Sequence, residues 1–203
     1  MGAQSPGDVR HPPWRCEGSA PFTGARRSDL EPKDISVETA DGLRLHVAEF
    51  RGGAAPELLL VHGSFGHARQ WDPLLPHLPP NRRVLALDLP GHGDSDHAAR
   101  EDRYAFPRLV EDIAGVSSAL GLRPVVAGHS VGSALAMQLA ALHRNSLVAA
   151  VLMDIDPRLP DGQAAHLNQA GLAPPRTYDD FERAVAREAR AAPQAAPAIH
   201  RHL

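Results

Sequence analysis

The residues whose types and spacing suit chemistry lie in the run Gly128-His129-Ser130-Val131-Gly132. A serine hydroxyl attacks an acyl carbon only when a base takes its proton and donors receive the negative charge that the attack creates. The G-x-S-x-G spacing meets part of that need. Glycines at 128 and 132 allow a bend so tight that a Cβ at either place would strike the neighbouring strand or helix. The bend sets the hydroxyl at a helix N-terminus, where unpaired backbone N–H groups face a developing oxyanion. A second run, His62-Gly63-Ser64-Phe65-Gly66, is expected to curl and present N–H groups at the end of the strand before it. A third, Asp88-Leu89-Pro90-Gly91-His92-Gly93-Asp94-Ser95, is too rich in Gly and Asp for regular structure.

The elements that must position these runs are legible in the hydrophobic spacing. Residues 1–32 carry Pro, Gly, Ser and Arg with scattered apolar side chains such as Trp14, which predicts a flexible tail. Alternation at Ile35, Val37 and Thr39, a turn at Asp41-Gly42, and alternation again to Phe50 predict an antiparallel hairpin. Apolar runs over 57–61 (opened by Glu57) and 147–153 predict strands covered on both faces, 84–89 reads as another buried strand with Asp88 near its end, and a short run at 124–127 leads into the serine bend. Trp71, Leu74, Leu75 and Leu78 recur at helical spacing and predict a short helix. A clean amphipathic helix is expected over 106–120, with Pro107 in its first turn, and a buried central helix over 131–142. Beyond Pro160 only a helix near 181–189 is predicted, capped from within Thr177-Tyr178-Asp179-Asp180.

Composition narrows the function classes. With 203 residues the chain suits one domain, and 43% hydrophobic residues suffice for a real core. A net charge of −3 gives no electrostatic case for nucleic acid or an anionic membrane as partner. Cys16 stands alone, so no internal disulfide is possible, and the opening residues form no apolar leader; a cytoplasmic location is expected. The 12 histidines match no zinc spacing apart from the weak pair His200 and His202, so no metal site is expected.

A strand-rich start followed by alternating strands and helices predicts an α/β fold, a three-layer sandwich around a mostly parallel twisted sheet. With the three runs in that order, residues 34–157 resemble the α/β-hydrolase superfamily, most closely its esterase and haloperoxidase-like branch. The resemblance implies Ser130 as nucleophile, with the backbone N–H of Val131 and that of Ser64, or alternatively Phe65, as oxyanion hole. His62 is then a brace for the loop at Gly63, and His129 lies beside the nucleophile pointing away from it. His92, Asp94, Asp88 and Ser95 shape the intervening loop. Dehalogenases and epoxide hydrolases of this superfamily carry aspartate where this chain has Ser130, so the resemblance implies ester-type acyl transfer on a small molecule, with no cofactor.

One part of the family pattern is not found. In this superfamily the acid and then the histidine follow the serine, the histidine after the last strand. Only 73 residues follow Ser130, and those over 158–203 read as the start of a helical lid. The expectation is a core over 33–157 lacking its last strands and its catalytic histidine, with hydrolysis impaired. Asp154, at the end of its strand, is the candidate acid. His143, His166, His200 and His202 are poor candidates for the base. The strand over 147–153 would then be an edge with no charge, proline or bulge, which favours self-association. The alternatives are a non-catalytic or ligand-binding remnant, and a cofactor-free oxygenase or C–C hydrolase on the same fold.

Overall fold

A computed structural model describes residues 31–155 and 180–191. Six strands form one sheet: β1 (Lys33–Glu38), β2 (Arg44–Arg51), β3 (Ala54–Val61), β4 (Arg82–Leu87), β5 (Val125–His129) and β6 (Ala149–Met153), in the order β1-β2-β4-β3-β5-β6. The hairpin β1–β2 is antiparallel and joins β4 antiparallel, whereas β4, β3, β5 and β6 run parallel to one another. Helix α1 (Phe106–Ala119) precedes β5, α2 (Val131–Leu142) connects β5 to β6, and α3 (Phe181–Ala191) stands near the end of the chain.

Period-two alternation along the strands divides the core in two. Leu59, Val61, Leu85, Leu87 and Val126 face one side and pack with Leu109, Ile113 and Val116 of α1 and Leu135 and Leu139 of α2. Leu60, Val84, Ala86 and Ala127 face the other side, against Ala68, Trp71 and Leu75. The strands β3 and β4 are therefore apolar on both faces, as their unbroken runs predict.

Two expectations change. The helix predicted over Trp71–Leu78 is instead a pair of 3₁₀ turns, Ala68–Trp71 and Leu75–His77. Pro73 and Pro76 remove the N–H groups a continuous helix needs there, yet Trp71 and Leu75 still reach the core. Helix α2 is not buried all round: Met137 and Leu142 are exposed, because among the described residues only one face of it has a sheet to pack on. At α3, Asp180 accepts the N–H of Arg183 (2.8 Å), a cap inside the expected 177–180 window. The expected tail up to residue 30 (with Trp14 and Cys16), the lid segment 156–179 (with His166), and His200 and His202 lie outside the described residues.

Candidate active site

Ser130 sits between the last residue of β5 and the first of α2 with φ 51° and ψ −115°. A side chain is rarely held at positive φ, and of the described non-glycine residues only Ser130 and Asp154 are. Such strain costs about 1–3 kcal/mol and persists only where the surroundings over-determine it. Here they do. A Cβ on Gly128 would run into the backbone of Gly132 and Ser133, and one on Gly132 into the carbonyls of Val61 and His62. The Ser130 N–H donates to the Met153 carbonyl (2.9 Å), and the Ser130 carbonyl accepts from Ser133 N–H (2.9 Å).

The second run lies directly opposite. A Cβ on Gly63 would come within 3.3 Å of the Ser130 Cβ and 2.9 Å of His129 Nδ1, so only glycine lets this backbone approach the serine. Ser64 and Phe65 are exposed, Phe65 at 85%, and no acceptor among the described residues takes the N–H of either. Val131 opens α2, so its N–H has no partner within the helix. The Gly63 backbone thus lies against a serine held at positive φ.

A family model described as the alpha/beta hydrolase fold matches residues 56–195. The chain belongs to that family. The α/β-hydrolase chain is similar to sn-1-specific diacylglycerol lipase ABHD11 from Mus musculus, 31% identical over 160 residues, which is 77% of this chain and 48% of that protein. It is also similar to Lipase LipV from Mycobacterium tuberculosis, 35% identical over 139 residues, 68% of this chain and 52% of that one. A solved α/β hydrolase from Novosphingobium aromaticivorans superposes with a TM-score of 0.73 at 28% identity, over 85% of this chain and 62% of that chain. The chain spans about half the length of the curated relatives it matches.

The remaining polar residues hold the loops of this hydrolase fold. His62 is fully buried; its Nε2 accepts the Leu89 N–H (3.0 Å), so its proton is on Nδ1, which donates to the Gly63 carbonyl (2.7 Å). Burial holds the ring neutral, with its pKa lowered to about 4. His92 Nε2 lies 2.8 Å from the Ser64 carbonyl. Asp88, also buried, accepts from the N–H groups of Ala68 and Asp94 and from His46 Nδ1 (2.7 Å). Burial pushes its carboxyl up, but His46 and the two N–H groups outweigh that and leave it below the ordinary range. His46 in turn lies between Asp88 and Asp34, and the hydrogen bond to Asp88 leads in raising its pKa to about 9. The Ser95 hydroxyl donates to the Asp88 carbonyl (2.6 Å) and accepts the His46 N–H. Ligand-type atoms of His46, Asp88 and Asp94 lie within 4.8 Å of one another, but the Asp88 oxygens in that group already accept hydrogen bonds from their neighbours.

Asp154, the candidate acid, is 85% exposed and faces His129, whose Nε2 is 3.5 Å from its Oδ2. Among the described residues no imidazole hydrogen-bonds the Ser130 hydroxyl, and His143 pairs with Glu111 (3.3 Å) at the far end of α2. A cleft of about 530 Å³ between the β1–β2 turn and α1 includes none of Ser130, His129, Asp154 and His143; its half-buried Arg103 is already bonded to Asp41 and Asp112.

Two contributors escape a motif search. Ser133 is fully buried; its hydroxyl lies 2.6 Å from the Gly128 carbonyl and 2.8 Å from that of Met153, and it accepts the Met153 N–H (2.9 Å). A serine in the first turn of a helix whose one other polar side chain is Gln138 was the available signal. His46 gave none, since alternation alone places it on a hairpin face.

No described helix is long and apolar enough to cross a membrane.

Proposed function

We propose that the chain carries the nucleophilic half of a serine hydrolase acting on a carboxylic ester or related acyl bond. The carrying observation is Ser130, held at positive φ at the head of α2 with the Gly63 backbone against it. Ser130 Oγ attacks the acyl carbon, and the carbonyl oxygen becomes an oxyanion that accepts from Val131 N–H and from Ser64 or Phe65 N–H. Collapse of that intermediate breaks the bond to the leaving group, which departs with the proton that Oγ gave up, and an acyl-enzyme remains for water to hydrolyse. An imidazole oriented by a carboxylate must carry the proton, and Asp154 is the carboxylate offered. The lipase names of the similar proteins support an ester as substrate.

No described imidazole reaches Ser130, so turnover that relies on the described residues is expected to be slow. Loss of triad members typically costs several orders of magnitude, while the oxyanion donors retain roughly 10³-fold over water. The same observation favours a second reading, a non-catalytic remnant that binds a ligand in the hydrolase cleft. A fluorophosphonate probe separates the two. Slow covalent labelling of the chain that disappears in Ser130→Ala supports the hydrolase; an unlabelled chain, or labelling that survives the substitution, removes it.

A further inference from the structure

The peptide groups on either side of Ser64 are each held by the carbonyl, and by two different histidines. Resting on the assignment of residues 63–65 as the oxyanion loop, we infer that His92 is a positioning residue. It grips the Ser64–Phe65 peptide as His62 grips the Gly63–Ser64 peptide, so that the loop offers two consecutive N–H donors rather than one.

A peptide unit is planar and trans, so its C=O and N–H point in opposite directions. Fixing the oxygen fixes the hydrogen. The Gly63 carbonyl accepts from His62 Nδ1 (2.7 Å) and from Gly66 N–H (3.0 Å), which turns the Ser64 N–H the other way. The Ser64 carbonyl lies 2.8 Å from His92 Nε2, which sets the Phe65 N–H in the same manner. Accepting a hydrogen bond also polarises the amide, and its N–H becomes a better donor. The two rings lie with centroids 4.9 Å apart, tilted by 51°, so each limits the other's movement. His92 Nδ1 is 3.0 Å from the Pro90 carbonyl. Of its two carbonyl contacts the one to Ser64 is the shorter.

The sequence provides a specific probe. Only one of the five phenylalanines follows a serine, Phe65 after Ser64, so a chain labelled with ¹³C-carbonyl serine and ¹⁵N-phenylalanine has a single bonded ¹³C–¹⁵N pair. In His92→Leu the Ser64 carbonyl signal should move upfield. His92→Gln, whose amide N–H reaches as far as Nε2, should return it towards its original place, and His92→Asn, which reaches only as far as Nδ1, should not. An unmoved signal in His92→Leu, or equal recovery by Asn, overturns the assignment of the bond.

Labelling of Ser130 by a fluorophosphonate should slow about tenfold in His92→Leu and recover in His92→Gln, at unchanged melting temperature. A moved carbonyl signal with an unaltered labelling rate overturns the positioning role. An original chain that does not label at all counts against Ser130 as nucleophile, while the carbonyl signal still decides whether His92 holds the loop.

Discussion

Strands β5 and β6 are neighbours in the sheet, end beside the same serine, and have opposite surroundings. Val126, Ala127 and Gly128 of β5 are buried, with a paired strand on each side. On β6, Val151 and Leu152 point to opposite faces and are both exposed, at 45% and 43%. The distal edge of β6 carries no described partner. The two regions meet at Met153, whose carbonyl accepts the Ser130 N–H and lies beside the Ser133 hydroxyl. A strained residue survives where its neighbours leave it no alternative, and here part of that constraint comes from the last residue of an open strand.

The sharpest test of the closed side is Gly132→Ala. The new methyl group would meet the carbonyls of Val61 and His62, neither of which can yield without moving β3. A loss on the order of 3–5 kcal/mol is expected, enough to unfold most of the chain, read by urea denaturation. Gly52→Ala meets nothing within 4 Å and should change stability by less than about 0.5 kcal/mol. Equal effects at both glycines would erase the contrast between the regions.

The open side is tested by association. An uncharged apolar edge templates pairing with a second copy, which would extend the ladder beyond β6. Light scattering at micromolar concentration should give a dimer or larger species. Val151→Lys with Leu152→Lys should return a monomer, since like charges would then face each other across the pair. A monodisperse monomer of the unaltered chain would show that the edge is covered.

At the junction, Ser133→Ala removes the hydroxyl between Gly128 and Met153 and leaves the half-buried Met153 N–H without that acceptor. The expected cost is about 1–3 kcal/mol. If the two regions are coupled as the contacts indicate, hydrogen exchange at the end of β6 accelerates more than in the middle of α2.

What was legible in the sequence follows the same division. The elbow was readable because its constraint is steric and falls on glycines whose spacing is visible: 128 and 132 do what a G-x-S-x-G run requires. The strands β3 and β4 were readable from unbroken apolar runs. The turns at 68–77 were misread as a helix because spacing reports which side chains go inside, and two prolines decide how the backbone takes them there. The network of His46, Asp88 and Ser95 was only partly legible, since its members come together through a strand pairing that no local pattern encodes.

Acid should loosen the closed region through His62. Its ring has a pKa of about 4 in the fold against 6.5 for the free group, so the unfolded chain takes up the proton first. The associated stability is whole above pH 6.5 and declines as pH falls towards 4. Denaturation midpoints between pH 7 and 4.5 should therefore fall more steeply in the original chain than in His62→Asn, which has no ring to protonate. His46 contributes with the opposite sign: its stabilisation is present below pH 6.5 and declines as pH rises through about 9, a limb that His46→Gln should flatten.

The smallest effect expected is a gain. Replacing Ser130 by glycine relieves a strain of about 1–3 kcal/mol at φ 51° but adds about 0.5–1 kcal/mol of backbone entropy to the unfolded chain. Ser130→Gly should therefore be the more stable protein by roughly 1 kcal/mol, while losing its reactivity towards a fluorophosphonate. Ser130→Ala keeps the Cβ and the strain, and should lose the reactivity without the gain. If both variants are equally stable, the bend costs nothing, and the closed surroundings of β5 are ordinary packing rather than the means of holding a hydroxyl where it would not otherwise stay.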